Sequence, residues 1–178
     1  MDKVTIIGLG MIGTSIGLAL KKAKIENAVL VGTDIDGNAR RKAKKMGAVD
    51  QTERDILKAT KNSNLIIIAT PILAIREIME SIANNLQDGA IVTDTGSTKT
   101  EIASWADQYL PKTIDFIGGH PMAGKETSGP EGADPALFEN RPYCLIPSKT
   151  ASPKSVATLV AIVEAMKSIP YFIDANEH

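Results

Sequence analysis

The stretch Lys3–Leu20, KVTIIGLGMIGTSIGLAL, constrains the fold of this chain more than any other. It begins with a short run rich in β-branched residues and without a polar face, which is typical of a strand buried on both sides of a parallel sheet. A G-x-G-x-x-G turn, Gly8–Gly13, follows directly, and apolar residues then recur at helical spacing. A strand, a glycine-rich turn and a helix in this order predict a dinucleotide-binding unit.

Each glycine of the turn has a physical role in such a unit. Gly8 permits the tight turn, Gly10 lacks the Cβ that would keep a pyrophosphate off the backbone, and Gly13 lets the helix lie close to the strand. The helix N-terminus then directs N–H groups and a partial positive charge at the phosphates. The candidate cofactor contacts in the turn are Gly8, Leu9, Gly10, Met11, Ile12 and Gly13.

A carboxylate for the ribose hydroxyls lies where a dinucleotide fold needs one. Asp34 ends the next apolar run, twenty-one residues after the last glycine of the turn. Its charge favours NAD over NADP, although a cofactor phosphate could still pair with Arg40 or Arg41. The third apolar run ends in small residues that leave room for a ligand, so Thr70 and Pro71 are further candidate cofactor contacts.

Composition excludes several classes of protein. The chain has 178 residues, which suits one domain, and a net charge of −1, which offers no electrostatic footprint for nucleic acid or a membrane surface. Cys144 is the single cysteine and therefore excludes an internal disulfide framework. The chain enters the first strand directly after Lys3, so no signal peptide is expected, and the longest apolar run, around 65–69, is too short to span a bilayer. These features predict a cytoplasmic protein.

Short apolar runs alternate with segments of helical periodicity along the chain, as in a doubly wound α/β fold. The runs predicted as strands are 4–7, 29–34, 64–68, 90–94, 114–117, 143–146 and 171–173. They predict a Rossmann-type, mostly parallel sheet with helices on both faces. Ligands bind beyond the carboxyl ends of the strands in such sheets, so the residues that follow the strands should line one crevice. Residues 127–141 form a long glycine- and proline-rich loop, a kind that is usually functional or mobile.

His120 is the candidate proton acceptor. The only other histidine is the last residue, His178, and His120 is predicted on the loop after the fifth strand. Hydride transfer from an alcohol needs a base for the hydroxyl proton, and a neutral imidazole suits that step, although many loop histidines only hold the backbone. Thr98 and Glu101 have capping-box spacing, which leaves the Ser97 hydroxyl for other work. Cys144 is interpreted as a small buried hydrophobe.

Three segments, GLGMIGTSI, TDTGSTK and GGHPMAGKETSG, occur in this order. With them the chain resembles the prephenate and arogenate dehydrogenase family of tyrosine biosynthesis over essentially its whole length. The resemblance implies that His120 takes the proton of the ring hydroxyl and that Ser97 hydrogen-bonds near it and tunes it. It also implies that Lys99 and Glu126 belong to the polar substrate site. No metal is implied, and the sequence shows no cluster with metal-ligand spacing.

The implied reaction is the NAD-dependent oxidative decarboxylation of prephenate to 4-hydroxyphenylpyruvate or of arogenate to tyrosine. The resemblance further implies that 1–173 form the NAD-binding domain, that 174–178 begin the connection to a helical C-terminal dimerisation domain, and that the full-length form is a homodimer. Two other functions are compatible with the residues alone. The chain could be another Rossmann dehydrogenase that acts on a small β-hydroxy acid, or a non-catalytic NAD-binding regulatory module.

Overall fold

A computed structural model describes residues 1–25, 27–124, 129–175 and 177–178. Within these ranges the strands are β1 (Lys3–Ile7), β2 (Val29–Thr33), β3 (Gln51–Glu53), β4 (Leu65–Ile68), β5 (Ile91–Asp94), β6 (Asp115–Pro121), β7 (Pro142–Pro147) and β8 (Ile169–Phe172). The helices are α1 (Met11–Lys22), α2 (Gly37–Lys45), α3 (Ile56–Thr60), α4 (Ile72–Ile82), α5 (Thr100–Tyr109) and α6 (Pro153–Ala165). None of these helices is long and apolar enough to cross a membrane.

All eight strands form one sheet in the order β3-β2-β1-β4-β5-β6-β7-β8. Every neighbouring pair is parallel except β6 and β7, which run antiparallel. The chain order reverses between β1 and β4, which is the switch point where ligands bind in open α/β sheets. The predicted Rossmann-type, mostly parallel sheet is confirmed.

The apolar core lies in two layers, one on each face of the sheet. One layer joins β-strand residues such as Ile6 to helices α1 and α6, through Ile16 and Leu159 among others. The other layer joins Ile7 to α4 and α5 through residues such as Met79 and Ile102. Neighbouring side chains of β1 therefore enter opposite layers, which explains why the strand has no polar face.

Two short elements were not predicted from the sequence. Strand β3 has three residues, none of them buried, and α3 has five residues. Apolar periodicity cannot identify elements this short. The available signal was a local one, because Asp55 caps α3 by accepting the N–H of Leu57 at 2.9 Å.

The long loop predicted at 127–141 is packed onto the domain over its described part, 129–141. Phe138 is fully buried and belongs to the core layer of α1 and α6. The N–H of Asp134 donates to the hydroxyl of Ser15 on α1 at 3.0 Å, and Glu139 pairs with Lys22 at 3.0 Å. One large apolar side chain, Phe138, therefore anchors the described part of this loop to the domain.

Candidate functional site

The glycine-rich turn brings three backbone segments into close approach. Gly8 has a φ of +92°, a conformation that side chains disfavour, and its N–H donates to the Thr33 carbonyl at 2.8 Å. A Cβ at Gly13 would overlap the Gly8 carbonyl, so this glycine allows α1 to begin directly against the turn. A Cβ at Gly10 would meet no atom within 4 Å, so this glycine borders open space.

Helix α1 presents its N-terminus to that open space. Gly10 occupies the N-cap position, and no side chain caps the helix. The first N–H groups of a helix lack carbonyl partners within it and carry a partial positive charge. The N-terminus of α1 can therefore bind an anionic group such as a pyrophosphate.

Asp34 follows β2 and is held by backbone on both sides. One carboxylate oxygen accepts the N–H of Leu9 at 2.7 Å, and the other accepts the N–H of Asp36 at 2.8 Å. The guanidinium of Arg40 donates to the Asp34 carbonyl, and that of Arg41 donates to the side chain of Asn38. Both guanidinium groups thus hydrogen-bond to residues of α2 or of the loop that precedes it.

A cavity of about 600 Å³ lies at the carboxyl ends of β1, β2 and β4. Gly8, Gly10, Asp34, Thr70 and Pro71 line it. The Thr70 hydroxyl oxygen is buried beside this cavity and, among the described residues, lacks the hydrogen-bond partner that a buried hydroxyl normally has. An elongated ligand with an anionic centre and a ribose fits the open backbone at Gly10, the Asp34 carboxylate and this hydroxyl.

The same cavity has lining residues that sequence reasoning missed. They are Ile35, Arg54, Ile56, Ala74, Glu77 and Ile78. Arg54 and Ile56 come from the β3–α3 region, which was itself missed. Ile35 is fully exposed and lines the open cavity. In the sequence, a large apolar residue between Asp34 and Asp36 was a usable signal for a ligand surface.

The carboxyl ends of β5 and β6 are joined by a buried ion pair. The Lys99 ammonium donates to the Asp94 carboxylate and, at 2.7 Å, to the Gly119 carbonyl. Asp94 also accepts the N–H of Gly96 at 2.7 Å and that of Gly119 at 3.2 Å. Both backbone polar groups of Gly119 are therefore held by this pair, directly before His120 in the chain.

Burial opposes the charge on both members of the pair, while their mutual attraction favours it. Asp94 is 0% and Lys99 3% exposed. Burial raises the pKa of the Asp94 carboxyl and lowers the pKa of the Lys99 ammonium. Lys99, predicted as a substrate contact, is buried in this structure. Its ammonium group donates to the Asp94 carboxylate and to the backbone carbonyl of Gly119.

His120 lies within a strand, not on the loop predicted from the sequence. β6 continues past the end of β5 to Pro121, because β7 pairs with it and places Cys144 opposite His120. The His120 ring is half-buried, and its Nδ1 lies 2.8 Å from Nε2 of His178. Burial, His178 and the Lys99 charge lower the pKa of His120, so its imidazole is neutral at pH 7. Cys144 is buried as predicted, and burial raises the pKa of its thiol.

The remaining predicted site residues have different outcomes. Ser97 is exposed on the loop between β5 and α5. The predicted cap at Thr98 is wrong: α5 begins at Thr100 with Lys99 at the N-cap position, whose side chain turns inward to Asp94. Glu126 lies outside the described residues.

The structure brings only some of the predicted crevice residues together around one cavity. The cavity at β1, β2 and β4 unites the turn, Asp34, Thr70 and Pro71, whereas its lining does not include His120, Ser97 or Lys99. Ser97 and Lys99 follow β5, and His120 lies near the end of β6, at the same carboxyl edge of the sheet.

The sequence matches a family model described as prephenate dehydrogenase, nucleotide-binding domain, over residues 16–170. The prephenate dehydrogenase of Lactococcus lactis is 41% identical over 180 residues, which cover all of this chain and 48% of that protein. The prephenate dehydrogenase of Bacillus subtilis is 34% identical, over 99% of this chain and 48% of that protein. The chain thus spans about half the length of the curated relatives it matches.

Two solved structures have the same fold. The Synechocystis arogenate dehydrogenase superposes with a TM-score of 0.89 at 33% identity, over 97% of this chain and 60% of that one. The Aquifex aeolicus prephenate dehydrogenase, solved with hydroxyphenyl propionate and NAD+, has a TM-score of 0.90 at 27% identity, over 99% of this chain and 61% of that one. With the dinucleotide-type turn, the carboxylate after β2 and the histidine on β6, these matches show that the chain belongs to the family of prephenate dehydrogenase nucleotide-binding domains.

Proposed function

We propose that this chain binds NAD and supplies the proton acceptor for the oxidative decarboxylation of prephenate or arogenate in tyrosine biosynthesis. The observation that carries the proposal is the neutral, half-buried His120 at the carboxyl edge of a sheet of this family. In the overall reaction a hydride leaves the carbinol carbon of the cyclohexadienol ring and the ring carboxylate leaves as carbon dioxide. The hydroxyl proton passes to the base as the hydride leaves and returns to the phenolic oxygen once the ring is aromatic. When bound, NAD supplies the acceptor for the hydride.

The residues of the β1–β2–β4 cavity hold the cofactor in this proposal. The pyrophosphate lies over Gly10 at the N-terminus of α1, and Asp34 accepts hydrogen bonds from the adenosine ribose. Backbone N–H groups already fix the Asp34 carboxylate, so its negative charge opposes a 2′-phosphate. Arg40 donates to the Asp34 carbonyl, which supports a preference for NAD over NADP.

His120 takes the proton of the ring hydroxyl. Its lowered pKa keeps the imidazole unprotonated at neutral pH, as a general base requires. The Asp94–Lys99 pair holds Gly119 on both sides, which sets the backbone from which His120 projects. Ser97, exposed after β5, is the proposed hydrogen-bonding partner that tunes the reaction, and Glu126 is a proposed substrate contact.

The substrate needs paired cations, and the Lys99 ammonium is not free to be one of them. Prephenate carries two carboxylates, and desolvating them without paired cations is costly. Lys99 is engaged by Asp94 and Gly119. We therefore propose that these 178 residues act as the cofactor-binding domain, 1–173 with a connection at 174–178, and that substrate cations and a homodimer contact come from a helical region of the full-length form. The cytoplasmic location stays a prediction.

Calorimetry and a turnover assay on the 178-residue chain test this proposal together. NAD is expected to bind measurably and more tightly than NADP, while prephenate and arogenate turn over very slowly or not at all. A chain with turnover typical of its relatives would contradict the cation argument. NAD binding without turnover of prephenate, arogenate or 3-hydroxyisobutyrate, even by the full-length form, would favour a regulatory module, and turnover of 3-hydroxyisobutyrate alone would favour a β-hydroxy acid dehydrogenase.

The role of His120 is tested by His120→Asn in a form of the protein that turns over substrate. We expect kcat to fall by about two to four orders of magnitude, the usual contribution of a general base. NAD affinity should change little, because His120 lies outside the cavity that holds the cofactor. Near-normal turnover would assign the proton to another group, and lost NAD affinity would indicate a structural histidine.

A further inference from the structure

The end of the described chain returns to the candidate base. After β8 the backbone stays paired through the N–H of Ile173, which donates to the Leu145 carbonyl at 3.3 Å. The hydroxyl of Thr100 at the start of α5 then donates to the Ala175 carbonyl at 3.1 Å. A turn closes when the His178 N–H donates to the Asp174 carbonyl at 3.0 Å. These contacts bring the His178 ring to His120.

The two rings meet in a directed contact. Nδ1 of His120 and Nε2 of His178 are 2.8 Å apart, within hydrogen-bond distance, and the ring centroids are 4.9 Å apart with an interplanar angle of 63°. Two neutral imidazoles at this distance share one proton, because one nitrogen must donate and the other accept. The contact therefore couples the tautomers of the two rings.

We propose that His178 is a positioning residue that accepts the Nδ1–H of His120 and so leaves Nε2 of His120 unprotonated as the basic nitrogen. The proposal deepens, and rests on, the proposed function of His120 as the proton acceptor. In a histidine that acts through one nitrogen, the hydrogen bond at the other nitrogen sets both the tautomer and the ring orientation. Among the residues that the structure describes, His178 is the one whose side chain hydrogen-bonds to the His120 ring.

The surrounding charges favour neutral rings. The Lys99 ammonium acts on both histidines and lowers the pKa of each, as does their burial. The Asp94 carboxylate acts on His178 in the opposite sense, and the Cys144 thiol faces His120 from β7. Because Lys99 and Asp94 form one buried pair, the net field at the rings still disfavours an imidazolium, and the shared proton stays within a neutral dyad.

Histidine nitrogen NMR on the ¹⁵N-labelled 178-residue chain tests the proposal directly. The chain contains two histidines, so the long-range proton–nitrogen spectrum holds two ring systems, and His178→Ala assigns them. At about pH 8, well above the ordinary histidine pKa of about 6.5, both rings are neutral and the spectrum reports the tautomers. We expect the Nδ1–H form at His120, which is the minor form of a free histidine.

Three variants separate positioning from a general structural effect. In His178→Ala the His120 ring should change to the Nε2–H form, whereas His178→Gln should retain Nδ1–H because its amide oxygen can accept the same proton. Glu177→Gln is the matched control in the same turn and should leave the His120 pattern unchanged. An Nε2–H form in the unsubstituted chain, or Nδ1–H retained in His178→Ala, would overturn the proposal.

The readout requires neither cofactor nor substrate, so it is independent of the proposed function. If the tautomer changes as expected but His120→Asn leaves turnover intact, the dyad exists and the assignment of the base fails. If His120→Asn lowers kcat but the tautomer does not respond to His178, the base stands and its positioning by His178 fails. The unsubstituted chain alone decides the tautomer should a variant fold poorly.

Discussion

The ends of β1 and β6 lie on the same edge of one sheet, yet the first is shaped by backbone and the second by buried charge. After β1, glycines let helix and strand approach so closely that a Cβ at Gly13 would overlap the Gly8 carbonyl. After β5 and within β6, the Asp94–Lys99 pair holds the backbone of Gly119 before His120. The first region leaves open space for a ligand, whereas the second fixes the position of one side chain.

This difference predicts how the stability of each region responds to substitutions and to pH. A backbone-built site depends chiefly on volume, because the close approach of the glycines sets its shape. A charge-built site depends on complete pairing, since a buried charge without its partner carries a large desolvation cost. Substitutions and pH changes can therefore distinguish the two regions.

The largest effect is expected from Lys99→Met. It leaves the Asp94 carboxylate buried and unpaired, and the free energy of unfolding should fall by about 3–5 kcal/mol. The matched control is Lys22→Met, which removes the surface pair with Glu139 and should change the free energy of unfolding little. Denaturant titration of both variants measures the difference.

A second substitution sharpens that experiment. Asp94→Asn in the Lys99→Met background removes the unpaired charge and keeps one oxygen, which can accept the N–H of either Gly96 or Gly119, since these two groups bond to different oxygens of Asp94. We expect the double variant to recover part of the lost stability. Equal losses for Lys99→Met and Lys22→Met would show that the buried charge is not what holds β6.

The next effect separates two glycines of one turn. Gly13→Ala forces a methyl group against the Gly8 carbonyl and should lower the free energy of unfolding by about 1–3 kcal/mol. Gly10→Ala has space and an ordinary φ of −74°, so stability should stay the same or rise by up to about 1 kcal/mol. Its methyl group should nevertheless weaken NAD binding by at least about tenfold, or 1.4 kcal/mol.

Thermal unfolding and NAD calorimetry on both variants test this pair. Unchanged NAD affinity in Gly10→Ala would mean that the pyrophosphate does not approach the backbone there. A stable Gly13→Ala variant would mean that the turn can relax.

A smaller effect concerns the choice of cofactor. Asp34→Ala removes the charge that opposes a 2′-phosphate, and the preference for NAD over NADP should narrow by about tenfold, or 1.4 kcal/mol. Arg40→Gln is the companion variant and should leave the ratio unchanged, because Arg40 is engaged with the Asp34 carbonyl. Titration with both cofactors measures the ratio, and weaker NADP binding in Arg40→Gln would place that guanidinium on the phosphate.

The smallest effect is a pH dependence confined to the charge-built region. The pKa values of His120 and His178 are lower in the folded chain than the ordinary value, so the unfolded chain binds protons first as the pH falls. The contribution of the histidines to stability should be constant above about pH 7 and decrease below about pH 6.5 until the folded-state pKa values are passed. The buried pair adds a pH dependence of its own, because burial lowers the pKa of Lys99 and raises the pKa of Asp94.

Denaturant titrations at pH 7.5 and 5.5 measure this loss. His178→Gln removes one of the two groups and should reduce the difference between the two pH values. Asp50 and Asp115 have lowered pKa values and act only at more acidic pH. If the free energy of unfolding differs between pH 7.5 and 5.5 by the same amount in His178→Gln as in the unsubstituted chain, His178 does not contribute to the pH dependence.

The sequence alone determined the part of the candidate site around the glycine-rich turn and Asp34. The strand, the glycines and α1 are contiguous in the chain, and a tight turn constrains residue type position by position. Asp34 was found because it ends the apolar run after the turn, and that run forms β2, the neighbour of β1. Local steric rules suffice wherever a feature is built from neighbours in sequence.

The tertiary structure alone decided the partners of the buried charges. The sequence places Lys99 near the candidate base, but its burial against Asp94 and the Gly119 carbonyl depends on how β5, β6 and α5 pack. Pairing with β7 turned the predicted loop at His120 into strand, and the return of 173–178 brought the second histidine to it. A side chain's partners across 20 to 58 positions depend on packing that sequence periodicity does not specify.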